Sequence, residues 1–168
     1  MLGLTTLGVF HTLISLIALV AGFASFVRFK CIRTQTPLGM TYLVTTAITA
    51  ATGLGIFEHG GFGKPHVLSI LTLMTLAVAY AAGKLHAFGS RSNFVEVIAY
   101  TLTMLFHFIP GVTETGTRFP RGAPLFANPD VVELKIIDGA LFLLFLLVAT
   151  IQYQWLKSET IRVPRASV

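Results

Sequence analysis

Five long apolar blocks, separated by short polar connections, constrain this chain more than any other feature. They fall at roughly 4–27, 38–57, 66–88, 93–111 and 136–156. Each has about the twenty mostly apolar residues that a helix needs to cross the hydrocarbon core of a bilayer. Charge is correspondingly scarce. Asp, Glu, Lys and Arg make up 11% of the 168 residues, against about 25% in a soluble domain. So few charges cannot clothe a globule in water. No alternating pattern of barrel type runs through the blocks, so strands are not expected. The expected fold class is all-α: an integral membrane helical bundle of about five transmembrane helices. It fills 1–157 as one domain, with an extracytoplasmic loop at 112–135 and a cytoplasmic basic tail at 158–168.

Local signals place the boundaries. Pro37 and Pro65 stand where the second and third helices start, a position proline favours. Ser92 and Asn93 are natural caps for the fourth, and Pro110-Gly111 predicts its stop. The 112–135 connection contains Pro120, Pro124 and Pro129 and cannot be helical throughout. The first block is followed, not preceded, by its positive charges (Arg28, Lys30, Arg33), so it reads as a retained helix and not as a signal peptide.

Orientation follows from the basic residues. Arg28, Lys30, Arg33, Lys84, Arg91, Lys157, Arg162 and Arg165 fall on one side, and Lys64, Arg118, Arg121 and Lys135 on the other. The positive-inside rule then predicts an outside N-terminus and a cytoplasmic C-terminus. The net charge of +5 does not imply nucleic acid, because no basic run is interleaved with aromatics. Cys31 is the only cysteine, which excludes an internal disulfide and a thiolate metal site. Without HExxH, CxxC, Walker or nucleophile-elbow motifs, a conventional hydrolase or nucleotide enzyme is not expected.

On this topology three histidines, His11, His66 and His107, reach a similar depth near the outer face, each from a different helix. Imidazole is a common ligand for zinc, copper and iron, so these three, with Glu58 and Asp138, are the candidate metal set. Two facing histidines would suit a b-type haem. A quinone held by imidazole and tyrosine among apolar walls is a further reading. Glu96, Tyr100, Thr103 and His107 share one face of the fourth helix at offsets of zero, four, seven and eleven, and form a candidate proton relay. Glu96 also lies where Arg91 or Lys84 could pair with it. Gly8, His11, Ser15, Ala18, Gly22 and Ser25 form a small-residue stripe suited to close helix contact. A second stripe on the second helix contains Thr41, Thr45, Thr49 and Thr52, and Asp138 and Gln152 share a face of the fifth.

Some of these segments resemble a known family. The run Pro65-His66-Val67-Leu68-Ser69-Ile70-Leu71-Thr72-Leu73, the first span from His11 to Gly22, and Phe106-His107-Phe108-Ile109-Pro110-Gly111 are similar to bacterial membrane proteins of unknown function, of the domain of unknown function 2306 type. The resemblance implies a multi-pass fold in the bacterial inner membrane and supplies no reaction. The functional expectation is therefore a small inner-membrane protein whose outer histidine site binds haem, a metal or a quinone. The alternatives are a non-catalytic structural or assembly subunit and a small proton-coupled carrier. Expected partners are the lipid bilayer and a membrane protein or further copies of this chain.

Overall fold

The computed structural model describes residues 5–57 and 61–162, and among them it is helical with no strand. Helix α1 spans Thr6–Phe29, α2 Pro37–Gly53, α3 Lys64–Leu85, α4 Ser92–Arg118 and α5 Val132–Arg162, with a 3₁₀ turn at Gly89–Arg91 before α4. Four of these, α1, α3, α4 and α5, are long and apolar enough to cross a membrane. Helix α2 has 17 residues and is shorter than the others.

The ends are set by local chemistry. The Thr5 hydroxyl accepts from the Gly8 amide at 3.1 Å and starts α1. Thr36 caps α2 in the same way, accepting from Gly39 at 3.0 Å, with Pro37 just inside. Gly39 is needed there because any Cβ would sit 1.9 Å from the Arg33 carbonyl oxygen. Lys30 and His86 close α1 and α3 in the left-handed region.

Consecutive helices pack in order, and α4 also touches α1, whereas α5 packs on α4 alone. The central helix is therefore α4. Ala18, Ala21, Tyr42, Leu76, Ala79, Tyr100 and Met104 form the core between them. The small stripe of α1 faces this core: Gly8, Ala18, Gly22 and Ser25 are buried. A Cβ on Gly22 would lie 2.6 Å from the Met104 sulfur and 3.1 Å from the Tyr42 ring. The stripe is used within the chain, where close approach lets Tyr42 and Met104 pack on backbone.

Side-chain contacts define two ends of the bundle. At one, Gln35 reaches the Gly83 carbonyl and Gln152 the Lys30 carbonyl. This basic end carries Arg28, Lys30, Arg33, Lys84, Arg91 and Lys157. At the opposite, loop end, Lys64 pairs with Asp130, tying the start of α3 to the α4–α5 connection.

The boundary that departs furthest from expectation is the end of α4. Helix α4 does not stop at Pro110-Gly111 but continues to Arg118. A proline deprives the carbonyl four residues back of its donor, and several contacts offset that loss. Thr113 and Thr117 hydroxyls bond to the carbonyls of Ile109 and Thr113. Glu114 and Arg118 pair one turn apart at 2.6 Å. The Phe126 ring lies flush on Gly116, and its amide donates to the Gly116 carbonyl at 3.0 Å. The irregular connection thus shrinks from 112–135 to 119–131.

Candidate functional site

The inner face of α4 carries a buried polar file. Glu96, Tyr100, Thr103 and His107 are all buried, as the helical spacing predicts. Glu96 is 0% exposed. Its Oε1 accepts two hydrogen bonds from Thr34 in the α1–α2 connection, from the amide and from the hydroxyl, each at 2.8 Å. With its proton spent on Glu96, Thr34 accepts from the Tyr100 hydroxyl at 2.9 Å. The string therefore runs Tyr100 to Thr34 to Glu96. Gly83 of α3 makes room for it, since a Cβ there would lie 2.1 Å from Glu96 Oε1. The other carboxyl oxygen, Oε2, is buried with no partner. The expected pairing of Glu96 with Arg91 or Lys84 is not formed. The carboxyl points into the bundle, where Thr34 meets it first.

A second string continues toward the loop end. The Thr103 hydroxyl donates to the Tyr100 carbonyl at 2.8 Å, so Tyr42 is the donor in its 2.8 Å bond to Thr103. Thr46, one turn further along α2 than Tyr42, meets His107 Nε2 at 3.1 Å. The rings of Tyr42 and Tyr100 touch edge to face, 5.9 Å between centroids, where the two strings meet without a direct hydrogen bond. Beyond His107, His11 Nδ1 lies 3.0 Å from the Thr52 hydroxyl. Thr52 already donates to the carbonyls of Ile48 and Thr49, which assigns the proton of that pair to His11 Nδ1. At ~1.5 Å per residue, Glu96 to His107 spans ~16 Å along α4, and Thr46 to Thr52 adds ~9 Å along α2. The file is thus ~25 Å long, against a hydrocarbon core of ~30 Å.

The three histidines do not share a depth. The extension of α4 leaves His107 about three turns inside that helix. His11 stands further out, level with Thr52 and Gly53. His66 is in the first turn of α3, so the three form a staircase and not a ring. Among the described residues no three His, Cys, Asp or Glu side chains come together as a metal shell. Each of His11 and His107 has a ring nitrogen taken by a threonine. Asp138 lies apart on α5, its Oδ1 buried without a partner. Glu58 falls outside the described residues, as does His59. His66 is 3% exposed and lies between the rings of Phe57 and Phe62, at 4.6 and 5.2 Å. Its Nδ1 accepts from the Gly63 amide, so Nε2 carries the proton, buried and without an acceptor.

Three members of the file, Thr34, Tyr42 and Thr46, were not legible as functional positions. Tyr42 and Thr46 are one turn apart on α2, and that spacing was the available signal. It was masked by the more regular row of Thr41, Thr45, Thr49 and Thr52. Those hydroxyls bond to carbonyls of their own helix, three or four residues back. Thr34 lies in a connection, where periodicity gives no guidance. At the loop end, the Lys64 ammonium bonded to Asp130 holds that exposed carboxyl below the usual carboxylate range. No family model, curated protein or solved structure matches this chain.

Proposed function

We propose that this is a five-span inner-membrane protein of bacterial type, N-terminus outside, that conducts protons along the file from His107 to Glu96. The reading rests on one observation: titratable and hydroxyl side chains follow one another for ~16 Å between Glu96 and His107, about half of a ~30 Å hydrocarbon core, buried among the helices. Buried ionisable groups in a membrane are costly and face the bundle interior where they serve a pathway. Hydroxyls can receive a proton on one side and release one on the other. Glu96 and His107 are the groups that can hold the proton, and Thr34, Tyr42, Thr46, Tyr100 and Thr103 pass it. The step between Tyr42 and Tyr100 is the gate, because transfer there requires a ring to turn or a water to enter.

The test is a proton-flux assay in proteoliposomes with a trapped pH dye and an imposed potential. Wild-type vesicles should acidify well above empty ones. Glu96→Gln keeps the shape and the acceptor for Thr34, and should lower the rate at least tenfold. Thr41→Ala, on the self-bonded row, should leave it unchanged. Glu96→Gln vesicles running at the wild-type rate would dismiss the reading.

The orphan donor of His66 favours a second reading, in which a quinone carbonyl accepts from Nε2 near the loop end. Leaving such a donor unpaired costs ~1–3 kcal/mol, so a bound acceptor is favourable. Solvent extraction of the purified protein should then yield about one quinone per chain, and less from His66→Ala. An extract without quinone ends this reading and leaves the proton path untouched.

A further inference from the structure

An open groove of about 390 Å³ runs between α1 and α2 on the outside of the bundle. Leu16, Val20 and Ala24 line it from α1, and Leu38 and Thr41 from α2. Its walls are wholly apolar, because the Thr41 hydroxyl is turned onto the Pro37 carbonyl at 3.0 Å. Ile17 and Ala21 line the groove beside them, and the row Leu16, Val20, Ala24 is followed four residues on by Arg28. Arg28 thus follows the lining residue Ala24 by about one turn of α1, at the basic end. From Leu16 to Ala24 the groove is ~12 Å deep, about the upper half of a lipid chain.

Among the described residues, Arg28, Lys30, Arg33, Lys84, Arg91 and Lys157 form no bond to a carboxylate. Glu96 is turned inward onto Thr34. The loop end differs, since Lys64 meets Asp130 and Arg118 meets Glu114. The Arg28 guanidinium lies over the Phe29 ring, 5.5 Å from its centroid, which leaves its N–H edge for an anion.

We propose that this groove and its arginine hold an anionic phospholipid, one acyl chain between α1 and α2 and the headgroup phosphate on Arg28. Guanidinium and phosphate match as a charge-assisted, two-pronged pair. A zwitterionic lipid fits the same groove but brings its own cation to the basic end, so headgroup charge sets the preference. This site is independent of the proton path and survives its failure.

Native mass spectrometry of the detergent-purified protein, titrated with phosphatidylglycerol or phosphatidylcholine of matched chains, tests it. The wild type should retain one phosphatidylglycerol about tenfold more tightly than phosphatidylcholine, with the difference shrinking as salt rises. Arg28→Gln, at an exposed site, should weaken phosphatidylglycerol about fivefold and leave phosphatidylcholine unchanged. Ala24→Leu should fill the groove and weaken both lipids. Equal affinity for the two lipids in the wild type overturns the proposal. So does unchanged phosphatidylglycerol binding in Arg28→Gln, or unchanged binding of both lipids in Ala24→Leu. Displacement of the lipid by inorganic phosphate alone would mark a simple anion site and overturn it too.

Discussion

Helices α4 and α5 lie against each other and are both long enough to cross a membrane, yet they meet their surroundings in opposite ways. In its most apolar stretch α4 has 50% of its residues buried and α5 only 6%, although α5 has the higher mean hydropathy, 2.3 against 1.5. In water the more apolar helix would sit in the middle. Hydrocarbon solvates leucine as well as a protein interior does, so apolar content does not draw a helix inward. Polar groups that need partners do. Helix α4 carries Glu96, Tyr100, Thr103 and His107 and is central. Helix α5 is held at the rim by Gln152, which accepts from Thr101 at 2.7 Å and donates to the Lys30 carbonyl at 3.1 Å.

The contrast can be broken most directly with two glycines. Gly83→Ala pushes a methyl against the Glu96 carboxyl and should cost about 3 kcal/mol, by overpacking and by loss of the Thr34 bonds. Gly139→Ala on α5 meets nothing within 4 Å and should leave the unfolding midpoint in detergent within about 0.5 kcal/mol of wild type. Similar shifts for the two would erase the distinction. A smaller effect is expected from Gln152→Leu, about 1 kcal/mol for two interhelical bonds in a membrane setting. Leu147→Ala, on the exposed face of α5, should fall below that in the same assay; the reverse order would mean that α5 is held by apolar packing after all. The smallest effect belongs to the exposed Lys64–Asp130 pair. Asp130 has a lowered folded-state pKa, so its contribution is present above the ordinary carboxylate value, near 4, and is lost as pH falls through the folded value. The midpoint should be flat from pH 8 to about 5 and dip slightly below about 4, and Asp130→Asn should remove the dip. A dip that persists in Asp130→Asn would assign it to other carboxylates.

The all-helical architecture was legible because long apolar blocks admit few alternatives. The face of α4 was legible for a related reason: four polar residues in one rhythm on a membrane helix have only the interior to turn to. The grouping of His11, His66 and His107 was not, because it depended on where α4 ends. Proline normally ends a helix, and nothing local to Pro110 announces that Phe126, sixteen residues on, will lie on Gly116 and hold the next turns. The partner of Glu96 was hidden likewise. Neighbours in sequence, Lys84 and Arg91, were the visible candidates, whereas Thr34 is brought to it by the packing of helices far apart in the chain. The α1 stripe was read correctly as a contact surface, but sequence does not say whether the contact is with another protein or with α2 and α4.

The 17 residues of α2 rise only ~26 Å, a few ångströms short of the ~30 Å hydrocarbon layer. On the proposed five-span reading, a helix that short is matched by local thinning of the bilayer. Helix α2 contributes Tyr42, Thr46 and Thr52, so the two aqueous phases come nearest one another beside the proton path. If protons pass as proposed, vesicles of longer-chain lipids would stretch that narrow place and slow conduction with no change in the protein, and acyl-chain length would be a control over rate.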